Sequence, residues 1–103
     1  MKSKTSELTG AALDWAVAKC LLPENWNDAE IILGDDTDYS TNWALTGPII
    51  EREGVSINLW GNDKWVANYC EAKQYGPTPL IAAMRCYIAS KLGDIIDIPE
   101  ELK

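Results

Sequence analysis

The strongest hydrophobic pattern of this chain runs from residue 76 to residue 93. Thr78 is a favourable N-cap, Pro79 stands where its missing N–H costs nothing, and Gly93 suits a left-handed residue after the last turn. Arg85 lies at the rim of the apolar stripe. The pattern predicts a helix with both ends marked. Its apolar positions, which recur at helical spacing, are Leu80, Ile81, Met84, Tyr87, Ile88 and Leu92.

A second helical pattern lies within residues 6–22. Thr9 is the preferred N-cap, although Thr5 or Ser6 offers an earlier start, and Pro23 ends the run. The spacing predicts an N-terminal helix with one apolar face. The residues of that face are Leu13, Ala16, Val17, Cys20 and Leu21.

Between this helix and residue 47 the pattern is mostly irregular. Residues 29–33 form a short apolar patch that indicates a strand. Residues 34–47 then form a long polar segment that carries a tyrosine and a tryptophan. A polar loop of this length is uncommon in a compact domain and is often functional. We therefore expect a site on this loop.

From residue 48 to residue 70 the pattern changes to alternation, which predicts an antiparallel meander. Residues 49–53 are interpreted as an edge strand, and residues 55–60 and 65–70 as a hairpin. A two-residue loop in this hairpin pairs Trp60 with Trp65.

The chain ends with three isoleucines, Ile95, Ile96 and Ile98, which either add an edge strand or dock on the helices. The order of helix, meander and helix predicts a two-layer α+β fold, with an antiparallel β-meander packed against an N-terminal and a C-terminal helix. The length of 103 residues predicts one domain, residues 1–103. An open edge strand makes a homodimer plausible.

Composition restricts the chemistry of the protein. The formal net charge is −7, which argues against binding of nucleic acids or anionic membranes. No apolar run is long enough to span a bilayer, and from the sequence we expect no secretory leader. The three cysteines match no metal or redox spacing and histidine is absent, so we expect reduced, buried thiols and no histidine catalysis.

The acidic loop invites comparison with a calcium site. An EF-hand loop that starts at Asp36 requires glycine at its sixth position and glutamate at its twelfth, but Thr41 and Gly47 stand there. No nucleophile motif and no glycine-rich phosphate loop is present. We therefore expect no metal, no cofactor and no catalytic residue.

The chain has two arginines, Arg52 on a predicted strand and Arg85 on the C-terminal helix. One interpretation gives them structural ion pairs with Glu51, Glu53 or Asp38. The other places both in a pocket for an anionic ligand, because arginine makes bidentate contacts to phosphate. In that pocket the helix N-terminus supplies N–H groups.

Four segments resemble the NinX-like family of lambdoid phages and prophages, a domain family of unknown function. They are LTGAALDWAVA (8–18), YSTNW (39–43), GPIIERE (47–53) and GPTPLIAAMR (76–85). The resemblance implies a phage accessory protein that acts in the cytoplasm of the bacterial host and is dispensable for building virions. It implies no catalytic residue and transfers no site.

The leading hypothesis is a non-enzymatic phage accessory protein that sequesters a small anionic, nucleotide-derived ligand as a counter-defence against the host. The arginines would hold phosphates, the aromatic residues would stack on a base, and the hydroxyl groups would donate hydrogen bonds. The predicted ligand-binding residues are Tyr39, Ser40, Thr41, Trp43, Arg52, Thr78 and Arg85.

Two alternatives remain open. The first is a protein-interaction module that inhibits or redirects a host protein through its acidic surface and the face carrying Trp60 and Trp65. The second is a nucleotide-processing enzyme with carboxylate or metal chemistry.

Overall fold

The structure, a computed structural model, describes residues 2–21 and 38–98. Within these ranges the strands form two antiparallel sheets. The helix α3 packs on the larger sheet and the other helices pack against α3, which confirms the predicted α+β class. The predicted strand at residues 29–33 and the helix-ending Pro23 lie outside the described residues. The elements are β1 (Lys2–Lys4), α1 (Gly10–Leu21), α2 (Trp43–Glu53), β2 (Ser56–Trp60), β3 (Lys64–Tyr69), β4 (Ala72–Gly76), α3 (Pro79–Leu92) and β5 (Ile95–Asp97).

The C-terminal helix α3 begins and ends as the sequence predicts. The Thr78 hydroxyl accepts a hydrogen bond from the Ile81 N–H at 3.2 Å, and Pro79 is the first helical residue. Gly93 follows the last turn with a φ of 91° and a ψ of −173°, so its φ is positive as expected but its conformation is not the left-handed helical one. All residues from Ala82 to Ile88 are buried, because the sheet strands β3 and β4 pack on α3 and α1 also packs on it. A helix buried on all sides is the centre of a core.

Residues 43–53 form the helix α2, so two predictions were wrong: the loop that continued to Gly47 and the edge strand at 49–53. The Asn42 side chain caps the helix by accepting from the Ala44 N–H at 2.9 Å. Gly54, with a φ of 75°, then terminates it. The two capping residues, Asn42 and Gly54, were visible in the sequence, but the Gly47-Pro48 dipeptide suggested a break in the helix between them.

The three-stranded sheet has the order β2-β3-β4, a meander as predicted but built from different residues. The loop between β2 and β3 has three residues, 61–63, and Gly61 has a φ of 74°. Leu59 therefore pairs with Trp65, and the predicted pairing of Trp60 with Trp65 was wrong. A shift of one residue moves side chains to the opposite face, so Trp65 packs against the core instead of lying beside Trp60.

The strand β4 was missing from the sequence prediction. It follows β3 after the two-residue loop Cys70–Glu71 and pairs Tyr75 with Val66. On the outer face of the sheet, the rings of Trp60 and Tyr75 meet edge to face with centroids 5.7 Å apart. This contact spans β3 and lies beside the buried Val66.

The two ends of the described chain meet in a second sheet, formed by β1 and β5. Ile95 and Ile96 thus do form a strand, but its partner is the N-terminal segment, with Ser3 opposite Ile96. Thr5 strengthens this junction, because its hydroxyl donates to the Gly93 carbonyl and its N–H to the Asp94 carbonyl, each at 2.7 Å. Across residues 2–21 and 38–98, no helix has the length and apolar character needed to cross a membrane.

Candidate functional site

Arg85 is the most deeply buried charged side chain in the described part of the molecule, with 8% of its surface exposed. It projects from the middle of α3. Its Nε donates to the Leu8 carbonyl at 2.9 Å, and its Nη1 donates to the Tyr75 carbonyl at 2.7 Å. The guanidinium therefore joins the segment before α1 to the strand β4.

The positive charge of Arg85 is not balanced by a carboxylate within the described residues. Both of its hydrogen bonds go to neutral carbonyl groups. Burial lowers the pKa of Arg85, and desolvation is the cause. A buried charge without a counter-charge is unfavourable, and an incoming anion would relieve that cost.

Arg85 forms part of the wall of a cavity of about 350 Å³. The cavity lies between the hairpin loop of β2 and β3, the end of β4 and the N-terminal segment. Its chemistry is mixed, with one further cation, one acid and several neutral hydrogen-bonding groups. The other lining residues are Ser6, Asp63, Lys64, Gln74, Tyr75, Gly76 and Pro77.

The guanidinium retains donors for a ligand. Arginine has five N–H donors, and two of the Arg85 nitrogens, Nε and Nη1, make the bonds to carbonyls. No buried side-chain nitrogen or oxygen among the described residues lacks a partner. The guanidinium thus has more N–H donors than these two bonds use, and the side chain that carries it forms part of the cavity wall.

Gly76 holds the end of β4 close to the start of α3. A Cβ atom at this position would lie 2.7 Å from the backbone nitrogen of Ala82 and 3.0 Å from the Ile81 side chain. Only glycine permits this approach. The contact fixes the distance between the cavity wall at Gly76 and the helix that carries Arg85.

Arg52 lies elsewhere. Its side chain is exposed, and its Nε donates to the Glu53 carboxylate at 2.9 Å, which is one of the ion pairs that the sequence suggested. Arg52 also acts electrostatically on Tyr87 of α3. Positions 85 and 87 are about 200° apart around a helix. The two arginines therefore lie on different sides of α3, and the structure does not bring them together.

The predicted loop residues lie at the start of α2. Ser40 is buried, and its N–H donates to Asp14 of α1 at 2.8 Å. Burial raises the pKa of Asp14, although the hydrogen bonds from Ser40 partly oppose the shift. Tyr39 packs against the core, whereas Thr41 and Trp43 are exposed.

Of the seven residues predicted to bind a ligand, Arg85 alone lines the 350 Å³ cavity. Thr78 follows Pro77 of the cavity wall, but its hydroxyl is used in capping α3. The sequence interpretation missed Ser6, Lys64, Gln74 and Tyr75. The alternation that follows the Cys70–Glu71 loop would have placed Gln74 and Tyr75 on a third strand.

The described residues contain no group of three or more histidine, cysteine, aspartate or glutamate side chains that could hold a metal ion. All three cysteines are free thiols. Burial raises the pKa of Cys20 to about 12 and that of Cys86 to about 11. Cys70 is exposed, so the expectation that every thiol is buried was wrong for this residue.

One known protein family matches most of the chain. The model of the family described as Bacteriophage P22, NinX matches residues 4–91. The chain belongs to this NinX family. The match confirms the resemblance seen in the sequence and includes every residue that lines the Arg85 cavity. A search of curated proteins finds no match.

Membership in the NinX family shows that this is a phage protein. The family description names no ligand, reaction or partner. Any more specific function must therefore be argued from the geometry around Arg85.

Proposed function

We propose that this protein is a non-enzymatic phage accessory protein that sequesters a small anionic, nucleotide-derived ligand in the Arg85 cavity as a counter-defence against the host. The observation that supports the proposal is the buried Arg85 guanidinium, which has no carboxylate partner in the described part of the chain and lines a cavity.

A phosphate group suits this cavity better than a neutral ligand. The N–H groups of Arg85 that its two bonds to carbonyl groups do not use can donate to two phosphate oxygens at once, in the bidentate geometry that arginine favours. Lys64 supplies a second positive charge from the start of β3. Asp63 lies in the same wall and would repel a highly charged ligand, which favours a single phosphate group at the guanidinium.

The size of the cavity limits the ligand. About 350 Å³ lies at the lower end of the range for small-molecule sites. This volume accommodates one nucleotide-sized unit, so a larger ligand such as a cyclic dinucleotide would extend beyond the cavity. Tyr75 lines the cavity, and its ring meets that of Trp60 edge to face on the outer face of the sheet. We therefore give Tyr75 the stacking role that the sequence assigned to Tyr39 and Trp43.

The experiment is a calorimetric titration of the full chain with inorganic phosphate, adenosine monophosphate, ADP-ribose and a cyclic dinucleotide. Arg85→Gln is expected to weaken binding at least about tenfold, since it removes the charge that holds the phosphate. Arg52→Gln is the matched control and is expected to bind as the wild type does, because Arg52 lies outside the cavity.

A second variant guards against misfolding. Lys64 is exposed, so Lys64→Gln is expected to fold normally and to weaken binding of the same probe. The proposal fails if no probe produces heat. It also fails if Arg52→Gln weakens binding as much as Arg85→Gln does.

The mass of the recovered probe separates binding from the nucleotide-processing alternative. A sequestering protein returns the probe unchanged after prolonged incubation and denaturation. A probe of altered mass would instead favour an enzyme.

A further inference from the structure

The strand β2 lies at an edge of the three-stranded sheet, and within the described residues no strand pairs with its outer side. Edge strands usually carry charged residues, proline or a bulge, which prevent pairing with another chain. The sequence of β2 is Ser-Ile-Asn-Leu-Trp and has neither charge nor proline. Leu59 is 58% exposed and Trp60 is 54% exposed, so this edge presents apolar side chains as well as backbone groups.

We propose that β2 pairs antiparallel with β2 of a second copy of this chain, so that the two three-stranded sheets become one continuous sheet. A two-fold contact uses the same surface on both copies, and an antiparallel strand pair has this symmetry. The register that pairs all five residues places Asn58 opposite Asn58 of the second copy, and Leu59 opposite Ile57.

This register covers the most exposed apolar residue of the strand. Ile57 lies opposite the fully buried Ala67, so it stands on the face of the sheet that packs towards α3. Leu59 shares that face with Ile57, because alternate residues of a strand point the same way. Pairing with the second copy therefore adds Leu59 to the apolar layer under the helices.

Charge favours a second copy over a basic partner protein. The chain carries a net charge of −7, but none of its acids lies on β2. A basic partner would find no carboxylate on this strand to pair with. Two β2 strands bring no like charges directly opposite each other, so the repulsion between the copies acts only at longer range.

The test is sedimentation of the full-length chain at concentrations from about 1 μM to about 1 mM, a range that detects weak dimers. Leu59→Lys places a charge beside the centre of the proposed contact, opposite Ile57 of the second copy. Ile95→Lys is the matched control, since Ile95 is 57% exposed and lies on the other sheet. The wild type and Ile95→Lys are expected to dimerise with similar dissociation constants, whereas Leu59→Lys weakens dimerisation at least about tenfold.

Two results would overturn the proposal. One is a wild-type chain that remains monomeric throughout this range; if that monomer binds a host protein and Leu59→Lys abolishes the binding, the edge belongs to the host protein. The other is a dimer that Leu59→Lys leaves unchanged.

Discussion

At the scale of single residues, Cys70 occupies a backbone conformation that side chains rarely adopt. Its φ is 53°, and it is the first residue of the two-residue loop between β3 and β4. A left-handed residue other than glycine costs about 1–2 kcal/mol. Glycine avoids this cost but loses about 0.5–1 kcal/mol through its greater freedom in the unfolded chain.

We therefore expect Cys70→Gly to raise the free energy of unfolding by about 0.5–1 kcal/mol, measured by urea denaturation. Cys70→Ser is the control, because it removes the thiol and keeps the Cβ atom. If the serine variant is stabilised as much as the glycine variant, backbone strain is not the cause.

Gly76 and Gly47 offer an opposite pair of predictions. Gly76→Ala would force a Cβ atom to within 2.7 Å of the Ala82 backbone nitrogen, and we expect a loss of about 1–3 kcal/mol of stability. Gly47 lies inside α2, and apart from its two chain neighbours and the backbone of its own helix, a Cβ atom added there would meet no atom within 4 Å. Gly47→Ala should therefore gain at most about 0.5–1 kcal/mol, because the ring of Pro48 opposes a Cβ atom on the helical residue before it. Thermal denaturation of both variants measures the two changes in stability. Equal shifts in melting temperature would contradict the expectation that they differ in sign.

The sequence located Arg85 on a helix but not its surroundings. Helical spacing and the caps were sufficient to place it on α3, but it is buried in the middle of the helix instead of lying at the rim of an apolar stripe. Its hydrogen-bond acceptors, the carbonyls of Leu8 and Tyr75, are 77 and 10 residues away in the chain. Contacts of this kind depend on the packing of three elements, which local periodicity does not encode.

At the scale of elements, prediction succeeded where end signals and periodicity agreed. In α3 they agreed. In α2 the Asn42 cap and the Gly54 terminator indicated a helix, but Gly47-Pro48 suggested a break and two adjacent isoleucines favoured a strand; the segment is a helix. The error in the β2–β3 register came from the length of the loop, because loops of two and of three residues were equally compatible with the alternation in the strands on either side.

The junction between α2 and β3 gives a prediction about pH. The Tyr69 hydroxyl donates to the Glu53 carboxylate, and this hydrogen bond raises the pKa of Tyr69 to about 12 from 10.0. The same bond, with a smaller effect of Arg52, lowers the pKa of Glu53 below 4.5. Because the pKa of Tyr69 is raised by folding, its contribution to stability is complete below the pKa of an unfolded tyrosine and is lost at higher pH. Because the pKa of Glu53 is lowered by folding, its contribution to stability is lost as the pH falls.

We therefore expect the stability difference between the wild type and Tyr69→Phe to be constant from about pH 5 to about pH 9. It should shrink as pH rises from 10.0 towards about 12, and also as pH falls below 4.5. Urea denaturation at several pH values measures it. Subtraction of the Tyr69→Phe curve removes the contributions of Cys20 and Cys86, whose thiols titrate in the same alkaline range. If the stability difference between the two proteins does not change with pH, the hydrogen bond between Tyr69 and Glu53 is not the cause of the pKa shifts.

At the scale of the whole molecule, the net charge of −7 separates the two proposals. Salt screens the attraction between Arg85 and a phosphate, so binding of inorganic phosphate should weaken as ionic strength rises. Salt also screens the repulsion between two acidic copies, so dimerisation through β2 should strengthen. Calorimetry and sedimentation over the same sodium chloride series measure both. If rising salt changes the affinity for phosphate and the affinity of dimerisation in the same direction, one of the two interactions has been wrongly assigned.

The central claim concerns Arg85, and nitrogen-15 NMR of the protein labelled on arginine tests it most directly. The chain has two arginines, so the spectrum contains two Nε–Hε signals. On titration with inorganic phosphate or adenosine monophosphate, the account predicts that the Arg85 signal shifts and saturates while the Arg52 signal stays in place. An Arg85 signal that does not move at saturating probe, or an Arg52 signal that moves in its place, would contradict the account.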